Sequence, residues 1–125
     1  EKRWLELFGL TCYGCCEPLH DWIPALKTIS NLRRVSISPW ADIGTSAERL
    51  GPGYIFSCKP LPTVVCTEHM DDAAIRNQLI DLFTITREHD CRVEVMLKDL
   101  HTVRHQPERL QRWVQLAQQA REKVY

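Results

Sequence analysis

The sequence has 125 residues, of which 44% are apolar and 26% charged: enough for a hydrophobic core, and too apolar for a disordered chain. Lys plus Arg and Asp plus Glu both number 16, so the formal net charge is zero and no global basic field exists to gather nucleic acid or an anionic membrane. No apolar run approaches the roughly 20 residues that span a bilayer, and no signal-peptide pattern is read in the sequence.

In chain order, Trp4, Leu5, Leu7 and Phe8 form an apolar cluster that reads as the end of a helix, with Gly9 as its stop. Starting at Glu1 in what reads as mid-helix, the chain is expected to be a piece of something longer. A first short strand is predicted over Leu10–Tyr13, then a loop Gly14–Leu19 and a helix Asp21–Ile29. Asp21 would cap that helix, and Trp22, Ile23, Leu26 and Ile29 would share a face. A second strand, Arg34–Ser38, alternates Val35 and Ile37 with Ser36 and Ser38 and is ended by Pro39. Asp42 suits a helix cap before a short helix that stops at Leu50-Gly51. A third strand covers Tyr54–Ser57, followed by a rigid loop with Pro60 and Pro62, and Thr63–Cys66 reads as a further extended piece.

A long helix is predicted from Asp71 to His89, with Ile75, Leu79, Leu82, Phe83 and Thr86 along one stripe. A fourth strand covers Arg92–Leu97. The last helix runs Pro107–Val124, with Leu110, Trp113, Val114, Ala117 and Ala120 as its buried stripe. Around it, Arg104, His105, Arg109, Arg112 and Arg121 interleave with Glu108 and Glu122, as on a solvated helix face. Strand and helix alternate four times, which predicts an α/β fold of parallel strands joined by right-handed crossovers. A doubly wound sheet and a barrel share this signature.

The chemically unusual residues fall just after strands, in Tyr13–Glu17, Ser38–Asp42, Ser57–Pro60 and Lys98–Thr102. Loops at the C-terminal ends of parallel strands converge on one face, so these clusters are expected to be neighbours. Six cysteines, at 12, 15, 16, 58, 66 and 91, in a chain able to build an apolar core fit a reducing cytoplasm better than a disulfide framework. Cys15 and Cys16 suit metal binding, with His101, Cys58 or Glu17 as partners; packing at a barrel mouth is the other reading. Cys12, Cys66 and Cys91 read as packing residues. Cys12 and Cys15 also form a C-x-x-C that could act as a redox pair. Glu17 could act as acid or base, as could Asp42 if it is not simply a cap. Lys59 and Lys98 could bind a carboxylate or phosphate. Asp99 lies two residues from His101 and could set its tautomer. Trp40 could stack on a flat ligand or pack beneath its loop. His20, His69, His89 and His105 read as peripheral.

Tyr13-Gly14-Cys15-Cys16-Glu17-Pro18-Leu19-His20, Val35-Ser36-Ile37-Ser38-Pro39-Trp40, Ser57-Cys58-Lys59-Pro60-Leu61-Pro62, and Leu97-Lys98-Asp99 with Gln106-Pro107-Glu108-Arg109-Leu110 occur in this order. Together they resemble the C-terminal part of the uroporphyrinogen-decarboxylase superfamily, which includes corrinoid-dependent methyltransferases. The resemblance covers essentially the whole chain. It implies a partial (β/α)8 barrel of about four βα units, with residues 1–125 as its C-terminal half, probing a small-molecule substrate. In the methyltransferases a His-x-Cys pair and a later cysteine hold zinc, and a corrinoid protein is the partner. Cys15 matches the first cysteine, Tyr13 stands in the histidine position, and His101 is nearest the last ligand. In the decarboxylases no metal is needed, and a histidine near His101 contacts the tetrapyrrole. Taken together with the reading of the residues, this gives Glu17, Lys59, Asp99 and His101 as expected catalytic residues, Trp40, Ser57 and Lys98 at the substrate, and Cys15, Cys16 and His101 at a metal. Such a half-barrel is expected to be inactive alone. The alternative is a non-catalytic module that closes on a copy of itself as a homodimer or larger, because its open sheet edges are pairing sites.

Overall fold

A computed structural model describes all residues, 1–125, and the chain divides into two compact units. The first comprises Glu1–Pro60 and Ile85–Met96; the second comprises Leu61–Thr84 and Leu97–Tyr125. The elements, in chain order, are α1 (Lys2–Leu5), β1 (Thr11–Tyr13), α2 (Ile23–Leu26), β2 (Leu32–Ile37), α3 (Ile43–Leu50), β3 (Ile55–Cys58), a 3-10 turn (Pro62–Val65), α4 (Asp72–Glu88), β4 (Arg92–Val95) and α5 (Glu108–Val124). No helix is long and apolar enough to cross a membrane.

The first unit holds a four-stranded, wholly parallel sheet in the order β1-β2-β3-β4. The order never reverses, so right-handed crossovers place the connections between β1, β2 and β3 on one face. Val35 pairs with Phe56 and Ile37 with Cys58, which aligns these side chains on that face. Val35, Ile37 and Phe56 are fully buried, and Ile23, Leu26, Ala47 and Leu50 of α2 and α3 complete the core. Several hydrogen bonds end the helices where the sequence says they should. Asp42 caps α3 by accepting from the Thr45 N–H at 2.6 Å, and Gly51, at φ +65°, closes it. Asp90, at φ 54°, follows α4 in the left-handed conformation that an aspartate tolerates at a helix end.

Several local expectations fail. The helix expected over Asp21–Ile29 is a single turn: Asp21 accepts from Arg49 at 2.6 Å instead of capping it, and Trp22 is 65% exposed. Thr63–Cys66, expected as extended, lies largely in the 3-10 turn, which Pro62 starts with its fixed φ. The N-terminal helix has only four residues, takes in only Trp4 and Leu5 of the apolar cluster, and buries none of them.

In the second unit the buried apolar residues are Val65, Ile75, Leu79, Leu82, Phe83, Trp113, Leu116 and Ala120. Asp71 caps α4 by accepting from the Ala74 N–H at 2.9 Å. The α4 stripe is as expected, with Thr86 in the first unit. The α5 stripe is rotated: Arg109, Trp113, Leu116 and Ala120 are buried, while Leu110 and Val114 are exposed.

Candidate functional site

Alternation along the strands gives the sheet a second face, opposite the core, and this face is polar. Cys12 pairs with Arg34 in register, and Ser36, Ser57 and Glu94 are aligned across β2, β3 and β4. Arg34 donates from Nε to Cys12 Sγ at 3.0 Å, and from one terminal nitrogen to both Glu94 carboxylate oxygens at 3.1 and 3.3 Å. Ser57 Oγ donates to Glu94 Oε1 at 2.7 Å. A continuous chain of hydrogen bonds, Cys12–Arg34–Glu94–Ser57, thus takes one side chain from each of the four strands. The hydrogen bond to Cys12 is the main influence raising the Arg34 pKa above its ordinary value, with Glu94 adding to it.

The Arg34 and Glu94 side chains are 36% and 35% exposed, so the pair meets solvent while its Ser57 partner is buried. This geometry fixes a guanidinium and a carboxylate at mid-sheet as a part-exposed ion pair. A guanidinium recognises a carboxylate through paired N–H donors, and Glu94 presents negative charge to any cationic group brought alongside. Beside them lie two buried hydroxyls, Ser36 Oγ and Ser38 Oγ, with no hydrogen-bond partner. Ser36 sits against Gly14: a Cβ at Gly14 would come within 2.3 Å of Ser36 Cβ, so this position takes no side chain.

The residues singled out in the sequence are arranged differently. Among them, Cys12 and Ser57 join this network. Lys59 ties its loop to β2 through its backbone, donating to the Ile37 carbonyl at 2.9 Å. Cys15 Sγ donates to the Glu17 carbonyl at 3.7 Å, while Cys16, Glu17 and Trp40 are exposed. Trp40, at 66% exposure, does not pack under its loop. Lys98, Asp99 and His101 belong to the second unit, where Lys98 Nζ lies 3.8 Å from Asp99 Oδ2 and Asp99 has φ +61°. His101 is exposed.

All six cysteines are free, Cys12 and Cys15 included. Cys12, expected to pack, is exposed; Cys91 is buried as expected, and Cys66 is half-buried. Burial pushes the Cys58 thiol up to about 12, which keeps it neutral near neutral pH. No group of three or more His, Cys, Asp or Glu side chains is placed to hold a metal ion.

Sequence reasoning missed Arg34 and Glu94 because each looks like the solvent-facing half of an alternating strand. The available signal was their combination: charged residues at mid-strand in a parallel sheet, which is normally apolar on both faces. It also misplaced Arg109, expected on a solvated face. Arg109 is 6% exposed in the second unit and donates to the carbonyls of Val65, Thr67 and Glu68 and to Gln106 Oε1, at 2.6 to 3.0 Å. It lines a groove of about 490 Å³ with Glu68, His69, Asp72 and Arg112, in which Arg112 pairs with Asp72 at 2.6 Å.

Comparison with protein-family models, with curated proteins and with solved structures finds no match in any of the three.

Proposed function

We propose that the chain builds one wall of the ligand chamber of a uroporphyrinogen-decarboxylase-like (β/α)8 barrel, and that Arg34 binds a substrate carboxylate there. The carrying observation is the Cys12–Arg34–Glu94–Ser57 chain on the face of the sheet opposite the core. Two further features support the reading. The strand order runs β1-β2-β3-β4 without the reversal that marks a doubly wound sheet, and β1 and β4 each keep one edge unpaired, as in an arc of a barrel.

Of the parent activities that the resemblance implies, decarboxylation uses these residues most directly. Arg34 would hold a carboxylate of a tetrapyrrole-like substrate in place. Glu94 would stabilise the positive charge that develops when the ring is protonated, as a fixed charge aimed at the transition state. The carbon–carbon bond to the leaving carboxylate breaks, its electron pair neutralises the protonated ring as carbon dioxide departs, a proton from solvent takes the carboxylate's place on carbon, and the ring gives up its added proton. Ser57 keeps Glu94 oriented, so it is a positioning residue. The wall alone is expected to bind without turnover.

Titration with uroporphyrin, a fluorescent tetrapyrrole with many carboxylates, tests this. Saturable binding that weakens about tenfold or more in Arg34→Gln is expected, with Lys123→Gln, at an exposed residue of α5, as the comparison variant. Equal binding by wild type and Arg34→Gln would contradict it.

A further inference from the structure

We propose that the C-terminal end of the polar sheet face, where Ser36, Ser38 and Lys59 meet, binds a phosphoryl group. All three residues belong to the first unit. Neither Arg34 nor Glu94 takes part, so this site holds or fails separately from the carboxylate contact proposed above.

Three polar groups in this corner lack the partners that their burial calls for. Ser36 Oγ and Ser38 Oγ are buried and make no hydrogen bond, in residues only 4% and 1% exposed. A hydroxyl left in this state has given up water and gained nothing in return, so it favours any acceptor that reaches it. Lys59 is half-buried. Lys2 and Lys98 each face a carboxylate, and Lys27 Nζ donates to the Arg49 carbonyl at 2.9 Å. The Lys59 ammonium has no such partner, and only its backbone N–H is engaged, by the Ile37 carbonyl at 2.9 Å.

Strand geometry gathers these groups. Ser36 pairs in register with Ser57, and Ile37 with Cys58. Ser38 and Lys59 are the next residues on the two neighbouring strands, and alternation returns them to the face of Ser36 and Ser57. Ser36 and Ser38 are separated by roughly 6.6 Å along the chain, and Lys59 follows a strand about 4.8 Å away. One small anion can therefore touch both hydroxyls and the ammonium. Its position also suits the fold, because ligands of parallel sheets are met at the C-terminal strand ends.

The donor set selects the anion. A flat carboxylate is matched by the paired N–H donors of a guanidinium, whereas a lysine is a point charge without that fork. A phosphoryl group spreads its charge over three acceptor oxygens, one for each of the two hydroxyls and the ammonium. Glu94 does not oppose it, because its carboxylate accepts from Arg34 at 3.1 and 3.3 Å and from Ser57 at 2.7 Å.

The test is calorimetric titration of the full chain with inorganic phosphate, with acetate at matched ionic strength as the carboxylate arm, alongside thermal unfolding. Saturable phosphate binding and a thermal midpoint that rises with phosphate are expected, and acetate should give neither. Lys59→Gln should weaken phosphate about tenfold or more, while Lys123→Gln, at an exposed residue of α5, should leave it unchanged. Ser38→Ala adds a second signature. It removes a buried hydroxyl that has no partner, so the ligand-free midpoint should stay level or rise while phosphate binding weakens about threefold or more. A hydroxyl with a merely structural role would lower that midpoint, and this result would overturn the proposal. So would acetate binding as tightly as phosphate, no saturable phosphate binding, or binding that Lys59→Gln or Ser38→Ala leaves unchanged.

Discussion

At Gly14 the space for a side chain is taken by Ser36, whose Cβ lies 2.3 Å from where a glycine Cβ would be built. Ser36 belongs to the sheet and is buried, so it has little freedom to withdraw. Gly14→Ala is expected to cost about 1–3 kcal/mol, the usual range for overpacking, read as a lower midpoint in urea unfolding. Asp42 acts differently, through its cap on α3. The hydrogen bond from Thr45 lowers its pKa. A depressed carboxyl pKa contributes stability above the unfolded-state value and loses it as pH falls through the folded one. Asp42→Ala should therefore destabilise by about 1 kcal/mol near neutral pH. The difference from wild type should vanish below the ordinary carboxylate range, as thermal midpoints across acidic pH would show. The thiols separate just as clearly. Cys58, buried and pushed up to about 12, should resist iodoacetamide in the folded protein, while exposed Cys12 and Cys16 react. Peptide mass spectrometry after a brief exposure measures this, and early labelling of Cys58 would contradict the buried placement.

Among the elements, the strands were the most legible. Alternation in β2, proline after it, and turn residues between strands place all four strands within a few residues of their observed positions. Helices that carry their own caps were also legible, as Asp42 and Asp71 show. The misreadings share a physical cause. Asp21 had the right residue type for a cap, but a longer-range partner, Arg49, took its carboxylate. Leu110 and Val114 had the right hydrophobicity for the buried side of α5, but Arg109 occupies it because several backbone carbonyls need its donors. Hydrophobic periodicity cannot register a demand made by unsatisfied carbonyls elsewhere in the chain. Arg109→Met keeps much of the volume and removes the donors. It should destabilise by about 2–4 kcal/mol, because several part-buried carbonyls lose their partner at once. A change of less than about 0.5 kcal/mol in chemical unfolding would show that the arginine is not a structural tie.

For the whole molecule, the sequence established an alternating α/β chain of parallel strands, and the sheet order is what it left open. The candidate site was legible in part. Ser57 was identified, but the loops drew attention away from the strands themselves. Arg34 and Glu94 lie 60 positions apart and meet through the register of β2, β3 and β4. That register depends on pairings that no local pattern encodes. The account therefore rests on the polar face of the sheet as a ligand-binding wall. Amide chemical shifts of the isotopically labelled chain, followed during titration with uroporphyrin, test it most directly. The account predicts saturable shifts centred on Cys12, Arg34, Ser57 and Glu94. Shifts confined to other surfaces, or no saturable shifts, would contradict it.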